Sequence, residues 1–125
     1  MNENDTSYLV RKCIFNVYNK LGPGLLETIY HKILIYELEE NGLNVQSEVE
    51  IPIVYDGKKF DFNFRIDILV EDKVILELKS VKSLEHIHFK QLNTYLKLSN
   101  KKLGLLVNFN TTNILDGIKR VVNNM

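Results

Sequence analysis

The stretch FDFNFRIDILVEDKVILELK, residues 60–79, decides the fold of this chain. Apolar and polar residues alternate strictly in its first half, and a second β-like run follows a turn at residues 71–73. Because successive side chains of a strand point to opposite faces, the even positions up to 68 should share one apolar face. Asp67 should then lie on the other face, together with Glu77 and Lys79 of the second run. The stretch predicts an antiparallel hairpin that brings these three side chains together.

The length of the connecting turn predicts how the two strands are aligned. A three-residue loop at residues 71–73 places Asp67 opposite Glu77, and a slip of one residue would turn Asp67 to the wrong face. Two opposed carboxylates repel unless a cation lies between them. Mg²⁺ prefers carboxylate and carbonyl oxygens, so both acids and the backbone carbonyl of Leu78 would suffice. With Lys79 positioning water or stabilising a phosphate, the set suits phosphodiester hydrolysis.

A simpler interpretation of the same residues is an exposed polar face, because polar–apolar–polar triplets are common on half-exposed sheets. The helix predicted at residues 84–98 adds polar groups. Its stripe at four-, three- and four-residue spacing contains Leu84, His88, Gln91 and Tyr95. This stripe either borders the site or faces solvent. Glu27, at the start of an earlier helix, either joins the site or interacts with the helix dipole, and Tyr30 suits the core.

Around the hairpin, two helices are expected before any strand, ending at Gly22-Pro23-Gly24 and at Asn41-Gly42. The expected apolar positions are Leu9, Cys13, Val17 and Leu21 in the first helix and Leu26, Ile29, Ile33, Tyr36 and Leu38 in the second. A strand at residues 49–55 should lie at a sheet edge because it contains Pro52. A continuous apolar run at residues 103–109 predicts a buried strand. The tail, residues 114–125, suits a strand or a helical turn.

Length and composition predict one domain over residues 1–125 with a single core, since 45% of the 125 residues are hydrophobic. No apolar run approaches the roughly 18 residues of a membrane span, so a cytoplasmic protein without a membrane partner is expected. The lone Cys13 excludes a disulfide framework or a cysteine-rich zinc site. Formal net charge is zero, but residues 73–102 hold 7 basic and 2 acidic residues. That segment is either a phosphate-binding surface or a solvated face.

These motifs together resemble known proteins. Gly24, Glu27 and Tyr30 have the spacing that names the GxxExxY family. Asp67 and Glu77-Leu78-Lys79, followed by Gln91 and Tyr95, resemble the wider PD-(D/E)XK nuclease pattern, over about residues 17–109. The resemblance implies an α/β, restriction-endonuclease-like core: a mixed sheet in α-α-β-β-β-α-β order with helices flanking the sheet. The proline in the superfamily's name is absent, because Ile66 precedes Asp67.

The resemblance also implies roles for the site residues. Asp67 and Glu77 would ligate Mg²⁺ or Mn²⁺, Lys79 would position the attacking water, and Glu27 would orient water or assist the metal. Gln91 and Tyr95 would contact substrate or order the lysine. The expected function is a metal-dependent nuclease, with DNA favoured. The alternatives are a non-catalytic nucleic-acid-binding or regulatory module that retains the fold, and a toxin-like or defence-associated nuclease active only with another chain. The sequence leaves open a homodimer or a partner protein.

Overall fold

The computed structural model describes residues 1–125 as four helices and five strands. In chain order they are α1 (Glu3–Leu21), α2 (Glu27–Glu40), β1 (Val45–Tyr55), β2 (Lys58–Val70), β3 (Val74–Lys79), α3 (His86–Ser99), β4 (Leu103–Asn108), α4 (Ile114–Gly117) and β5 (Ile118–Val122). The predicted order is confirmed through β4, and the ambiguous tail forms both a short helix and a strand. None of the helices has the length and apolarity needed to cross a membrane.

The five strands form one mixed sheet in the order β1-β2-β3-β4-β5. Neighbouring strands are antiparallel except β3 and β4, which are parallel because α3 carries the chain back between them. β1 lies at one edge, as its Pro52 predicted. This arrangement confirms the expected restriction-endonuclease-like α/β fold.

The two faces of the sheet are covered by different helices. A cluster of 19 buried residues joins one face to α1 and α2, and a cluster of 6 buried residues joins the other face to α3. Adjacent residues of β4 illustrate the division, since Leu105 belongs to the larger cluster and Leu106 to the smaller. We call these the α1–α2 face and the α3 face.

The hairpin between β2 and β3 has the predicted alignment, with Ile68 paired to Leu76 across a loop at residues 71–73. The prediction that all even positions of β2 share one face is wrong at one point. Ile66 packs on the α3 face, whereas Ile68 packs on the α1–α2 face. β2 therefore twists at Asp67. The opposite residue of β1, Glu48, has a left-handed φ of 53° and interrupts the pairing there.

The buried side of α2 also differs from its predicted stripe. Only Leu38 of that stripe is buried, and Tyr30 and Leu34 complete the packed side. The other members of the stripe are exposed: Leu26, Ile29, Ile33 and Tyr36. The helix takes this rotation because the Tyr30 ring stacks on Phe109, with ring centroids 4.3 Å apart. Cys13 is buried and free of disulfide bonding, as expected for a small core residue.

Candidate active site

Asp67 and Glu77 lie opposite each other where β2 and β3 stop pairing. The ladder ends at Ile68 and Leu76, which makes the two acids the next pair. The Asp67 carboxylate accepts a hydrogen bond from the Leu78 N–H (2.9 Å), and the Glu77 carboxylate accepts one from the Asp67 N–H (3.3 Å). The side chain of each acid is therefore held by backbone of the facing strand.

Glu77 is the buried member of this acid pair, with 6% of its surface exposed. Burial raises the pKa of its carboxyl group, and the hydrogen bond and negative charge of Asp67 raise it further; the Lys79 ammonium acts in the opposite direction. Two carboxyl groups so close cannot both ionise at low cost. The pair therefore has high affinity for a positive charge, whether that charge is a proton or a cation.

The backbone carbonyl of Leu78 points to the same location. In a strand, the N–H and C=O of one residue point to the same neighbouring strand, and the Leu78 N–H donates to Asp67. The next carbonyl, of Lys79, points the other way and accepts from the N–H of Phe109 beyond β4 (3.0 Å). The Leu78 carbonyl thus faces β2 past its last pair with β3, beside the two carboxylates.

Lys79 follows the acids on the same face and is half-buried. It forms no ion pair, since the one ion pair in the protein joins Lys101 to Asp72. Its charge nevertheless lowers the pKa of both Glu77 and Glu27, so the ammonium group faces the acids without contacting them.

Glu27 approaches the site from the first turn of α2. Partial burial raises the pKa of its carboxyl group and the negative charge of Asp67 raises it further, whereas Lys79 and His31 lower it. Glu27, Asp67, Glu77 and Lys79 therefore share one electrostatic environment. The structure brings together these four residues, which the sequence placed in three separate elements.

The loop before α2 is held by hydrogen bonds that fix the position of Glu27. The buried Tyr30 hydroxyl donates to the carbonyl of Gly22 (2.6 Å) and accepts from the N–H of Leu25 (3.1 Å). The Ser80 hydroxyl donates to the Leu25 carbonyl (2.8 Å), which ties the loop to the end of β3. Gly24 has a φ of 98°, which a side chain would strain. Gly24 and Tyr30 therefore act on the backbone around Glu27.

Tyr95 of α3 borders the acid pair on the other side. Burial, followed by the charges of Glu77 and Asp67, raises the pKa of its phenol. Its ring stacks on Phe64 of β2, with centroids 4.6 Å apart. Tyr95 thus joins the site to the aromatic side chains of β2.

Gln91 and His88 are not drawn into this cluster. Gln91 is exposed one turn before Tyr95 and forms no hydrogen bond with the site residues. His88 caps its own helix, because its Nδ1 accepts from the Glu85 N–H (2.9 Å). α3 begins at His86, after that cap, so Leu84 is not part of the helix that was predicted to start there.

The oxygen donors at the acid pair form a partial ligand set for a divalent cation. No group of three His, Cys, Asp or Glu side chains converges to hold a metal. The acid pair and the Leu78 carbonyl supply three oxygen donors, and Mg²⁺ characteristically keeps several waters beside such a partial set. A cavity of about 420 Å³ opens next to Glu27, lined by Gly24, Leu25, Leu26, Ser80 and Asn110. The residues present therefore fit Mg²⁺ or Mn²⁺ with open positions.

Sequence reasoning missed the residues that support the site. Besides Ser80, the buried amide of Asn108 accepts from the Val81 N–H (3.1 Å) and donates to its carbonyl (3.0 Å), fixing the segment after Lys79. A polar residue ending the apolar run of β4 was the available signal. Phe64 was assigned only to an apolar face, and its contact with Tyr95 depends on the twist of β2.

Comparison with known proteins identifies relatives of this arrangement. A family model described as the PD-(D/E)XK nuclease superfamily matches residues 4–121. The crystal structure of SSO0001 is similar over 79% of this chain, with a TM-score of 0.61 and 25% sequence identity. The chain spans about half of SSO0001, 51% of its length. No curated protein sequence matches the chain.

Proposed function

This chain belongs to the PD-(D/E)XK nuclease superfamily, and from that membership we propose that it is a metal-dependent nuclease that hydrolyses phosphodiester bonds in nucleic acid, with DNA as the favoured substrate. The narrower assignment to the GxxExxY family is part of this proposal and rests on Gly24, Glu27 and Tyr30.

One observation carries the proposal: two carboxylates meet at the end of a strand pair, one of them buried, and the half-buried Lys79 follows them without an ion-pair partner. A purely structural acid pair would be costly, because opposed carboxylates destabilise a sheet. A cation bound between the carboxylates would relieve their repulsion, and the nearby lysine could bind a phosphate.

Each residue has a role in this scheme. Asp67, Glu77 and the Leu78 carbonyl would hold Mg²⁺ or Mn²⁺. A bound ion of this kind neutralises charge on the phosphate and makes water more acidic. Lys79 positions the attacking water and donates to a phosphate oxygen, and Glu27 accepts a hydrogen bond from that water. Gln91 and Tyr95, on α3, contact the substrate strand.

The test is cleavage of plasmid DNA by the full chain in Mg²⁺ or Mn²⁺. We expect cleavage that stops with EDTA and falls by a factor on the order of 100 or more in Glu77→Gln and in Lys79→Ala. Glu39→Gln is the matched control, because Glu39 is exposed at the far end of the helix that begins with Glu27. Equal melting temperatures of the variants show that folding is retained. Cleavage that persists in the Glu77 and Lys79 variants would rule out this site as the catalytic centre.

The second candidate is a non-catalytic nucleic-acid-binding module. It is favoured by the absence of three converging metal-ligating side chains. DNA binding measured against salt concentration separates the two functions, since phosphate contacts give a steep salt slope with or without turnover. Binding with such a slope, but no cleavage of single-stranded, double-stranded or branched DNA in either metal, favours the module.

A further inference from the structure

β1 and β2 continue far beyond the rest of the sheet. β2 pairs with β3 only through residues 68–70, yet it pairs with β1 back to Lys58. We call residues 49–65 the ribbon. Its tip turns at Asp56 and Gly57, whose φ values of 53° and 74° suit a two-residue hairpin turn. Most of the ribbon thus has no neighbouring strand beyond its own two.

One face of the ribbon is aromatic and lacks acidic residues. Ile51 pairs with Phe64 and, beyond a register shift between Pro52 and Val54, Tyr55 pairs with Lys58. Alternation along β1 therefore puts its odd positions and the even positions of β2 on the α3 face. The residues of this face are Val49, Ile51, Ile53, Tyr55, Lys58, Phe60, Phe62 and Phe64. The acids of the ribbon's strands, Glu50 and Asp61, fall on the opposite face with Lys59 and Arg65.

Two aromatic side chains of this face, Tyr55 and Phe62, are exposed, and two, Phe60 and Phe64, are half-buried. Phe62 is 65% exposed and Tyr55 is 68% exposed, although large aromatic groups normally favour burial. The Phe60 and Phe62 rings are stacked at 6.5 Å, and the Lys58 ammonium lies 5.1 Å from the Phe60 ring centre. The one charge on the face is therefore a cation beside an aromatic ring.

The row of aromatic side chains leads directly to the acid pair. Phe64, the next aromatic residue after Phe62, stacks on Tyr95, whose pKa responds to Glu77 and Asp67. Phe62 and Asp67 are five residues apart on one strand, which corresponds to about 17 Å at ~3.3 Å per residue. A ligand lying along the row would reach the candidate active site at its inner end.

We propose that the aromatic face of the ribbon is a stacking platform for unpaired bases of a single-stranded nucleic acid, and that it guides the strand to Asp67 and Glu77. Aromatic rings interleaved with cationic groups are the recurring surface for single strands, because every base has a stacking face and every nucleotide a phosphate. The part of this inference that names Asp67 and Glu77 as the end of the path rests on the proposed nuclease function. The binding surface itself can be tested separately.

The sharpest test uses the chain's lack of tryptophan. In Phe62→Trp the single indole should be quenched when an oligothymidylate of about 15 nucleotides binds in EDTA, because a base stacks on it. Val54→Trp is the matched control, since Val54 is 51% exposed on the opposite face of the ribbon. Its fluorescence should not change.

Affinity is measured with the same oligonucleotide, labelled, by fluorescence anisotropy. We expect Phe62→Ala to weaken binding about tenfold or more, Phe62→Trp to retain it, and Val54→Ala to leave it unchanged. Equal binding by Phe62→Ala and the unsubstituted chain overturns the platform. So does a Phe62→Ala variant whose only change is from dimer to monomer in sedimentation, which would make the ribbon a contact between copies.

Hydrolysis of bis(para-nitrophenyl) phosphate in Mn²⁺ distinguishes failure of the platform from failure of the nuclease. This small phosphodiester does not reach the ribbon, so Phe62→Ala should hydrolyse it at the unsubstituted rate. If the unsubstituted chain hydrolyses neither this ester nor plasmid DNA, the proposed function fails while the binding contrast still decides the platform. If hydrolysis drops in Phe62→Ala, the residue acts on the site rather than on the strand, and the platform is overturned.

Discussion

The two faces of the sheet carry apolar layers of very different size. The α1–α2 face holds 19 buried residues, and all of its sheet positions from β3 and β4 are apolar. The α3 face holds 6, and its β3 positions after Ile75 are Glu77 and Lys79. Glu77 and Lys79 therefore lie on the face with the smaller core.

This difference shows how a short chain can accommodate opposed carboxylates. Burying a charged group costs free energy that other contacts must offset. Here the α1–α2 face supplies a continuous apolar layer across β3, the strand that carries Glu77 and Lys79 on its other side. Polar site residues can then replace apolar core residues on the α3 face while the fold is retained.

The largest expected effect comes from two neighbouring leucines of β4. Leu105 and Leu106 are both fully buried but lie on opposite faces. We expect Leu105→Ala to lower the free energy of unfolding by about 3–5 kcal/mol, and Leu106→Ala by about 2–3 kcal/mol, because the smaller cluster has fewer atoms to lose contact with and collapses more easily. Urea unfolding measures both. An equal or larger loss of unfolding free energy in Leu106→Ala would show that the two faces do not differ in how much they stabilise the fold.

Sequence periodicity was sufficient for the hairpin and the element order, and its failures have physical causes. Alternation and the loop at residues 71–73 set which residues pair, so the pairing of Ile68 with Leu76 was predictable. The twist at Asp67 was not, because it depends on Glu48 of another strand adopting a left-handed conformation. The stripe of α2 was misassigned because apolar residues lie on both of its sides, and the contact between Tyr30 and Phe109 selects one.

The site residues also differ in how far the sequence alone predicts them. Asp67, Glu77 and Lys79 followed from strand alternation alone. Glu27 and Tyr95 come from helices whose docking onto the sheet no local pattern encodes, so their spacing left a place in the site open and the family resemblance assigned it. Gln91 was identified on the same helical stripe as Tyr95, but its role stays a prediction because its side chain is exposed and forms no hydrogen bond with the other site residues. Ser80 was absent from every motif, since its bond to Leu25 joins segments distant in sequence.

The next largest expected effect is a dependence of the free energy of unfolding on pH, caused by the buried Glu77 on the α3 face. The folded protein without metal holds the Glu77 proton to a higher pH than the unfolded chain does, because burial and Asp67 raise the pKa. Stability is therefore fully present below the unfolded pKa and is lost as pH rises through the folded one. In EDTA we expect the free energy of unfolding to fall by on the order of 1–3 kcal/mol between pH 5 and pH 8.

Glu77→Gln provides the control for that effect. The amide keeps the shape of the protonated carboxyl group and cannot ionise, so the fall with pH should shrink markedly. Mn²⁺ should stabilise the unsubstituted chain more at pH 8 than at pH 5, because the ion replaces the proton between the acids. If the metal-free stability of the unsubstituted chain is the same at both pH values, Glu77 does not have the raised pKa assigned to it.

The smallest expected effect tests whether the larger core positions Glu27. Tyr30→Phe removes the hydroxyl bonded to Gly22 and Leu25 but keeps the ring that stacks on Phe109. We expect a loss of about 1–2 kcal/mol in stability and a several-fold fall in cleavage rate, because the loop before Glu27 loosens. Tyr36→Phe is the matched control, since Tyr36 is exposed on the same helix.

A double substitution separates positioning from general destabilisation. If Tyr30 acts through Glu27, then Tyr30→Phe should lower the cleavage rate of the Glu27→Gln variant little further, while its effect on melting temperature remains unchanged. Full additivity of the two rate effects would mean that the hydroxyl does not act through the carboxylate. The link between the α1–α2 core and the site would then have to pass through β3 itself, where Leu78 packs on one face and Glu77 lies on the other.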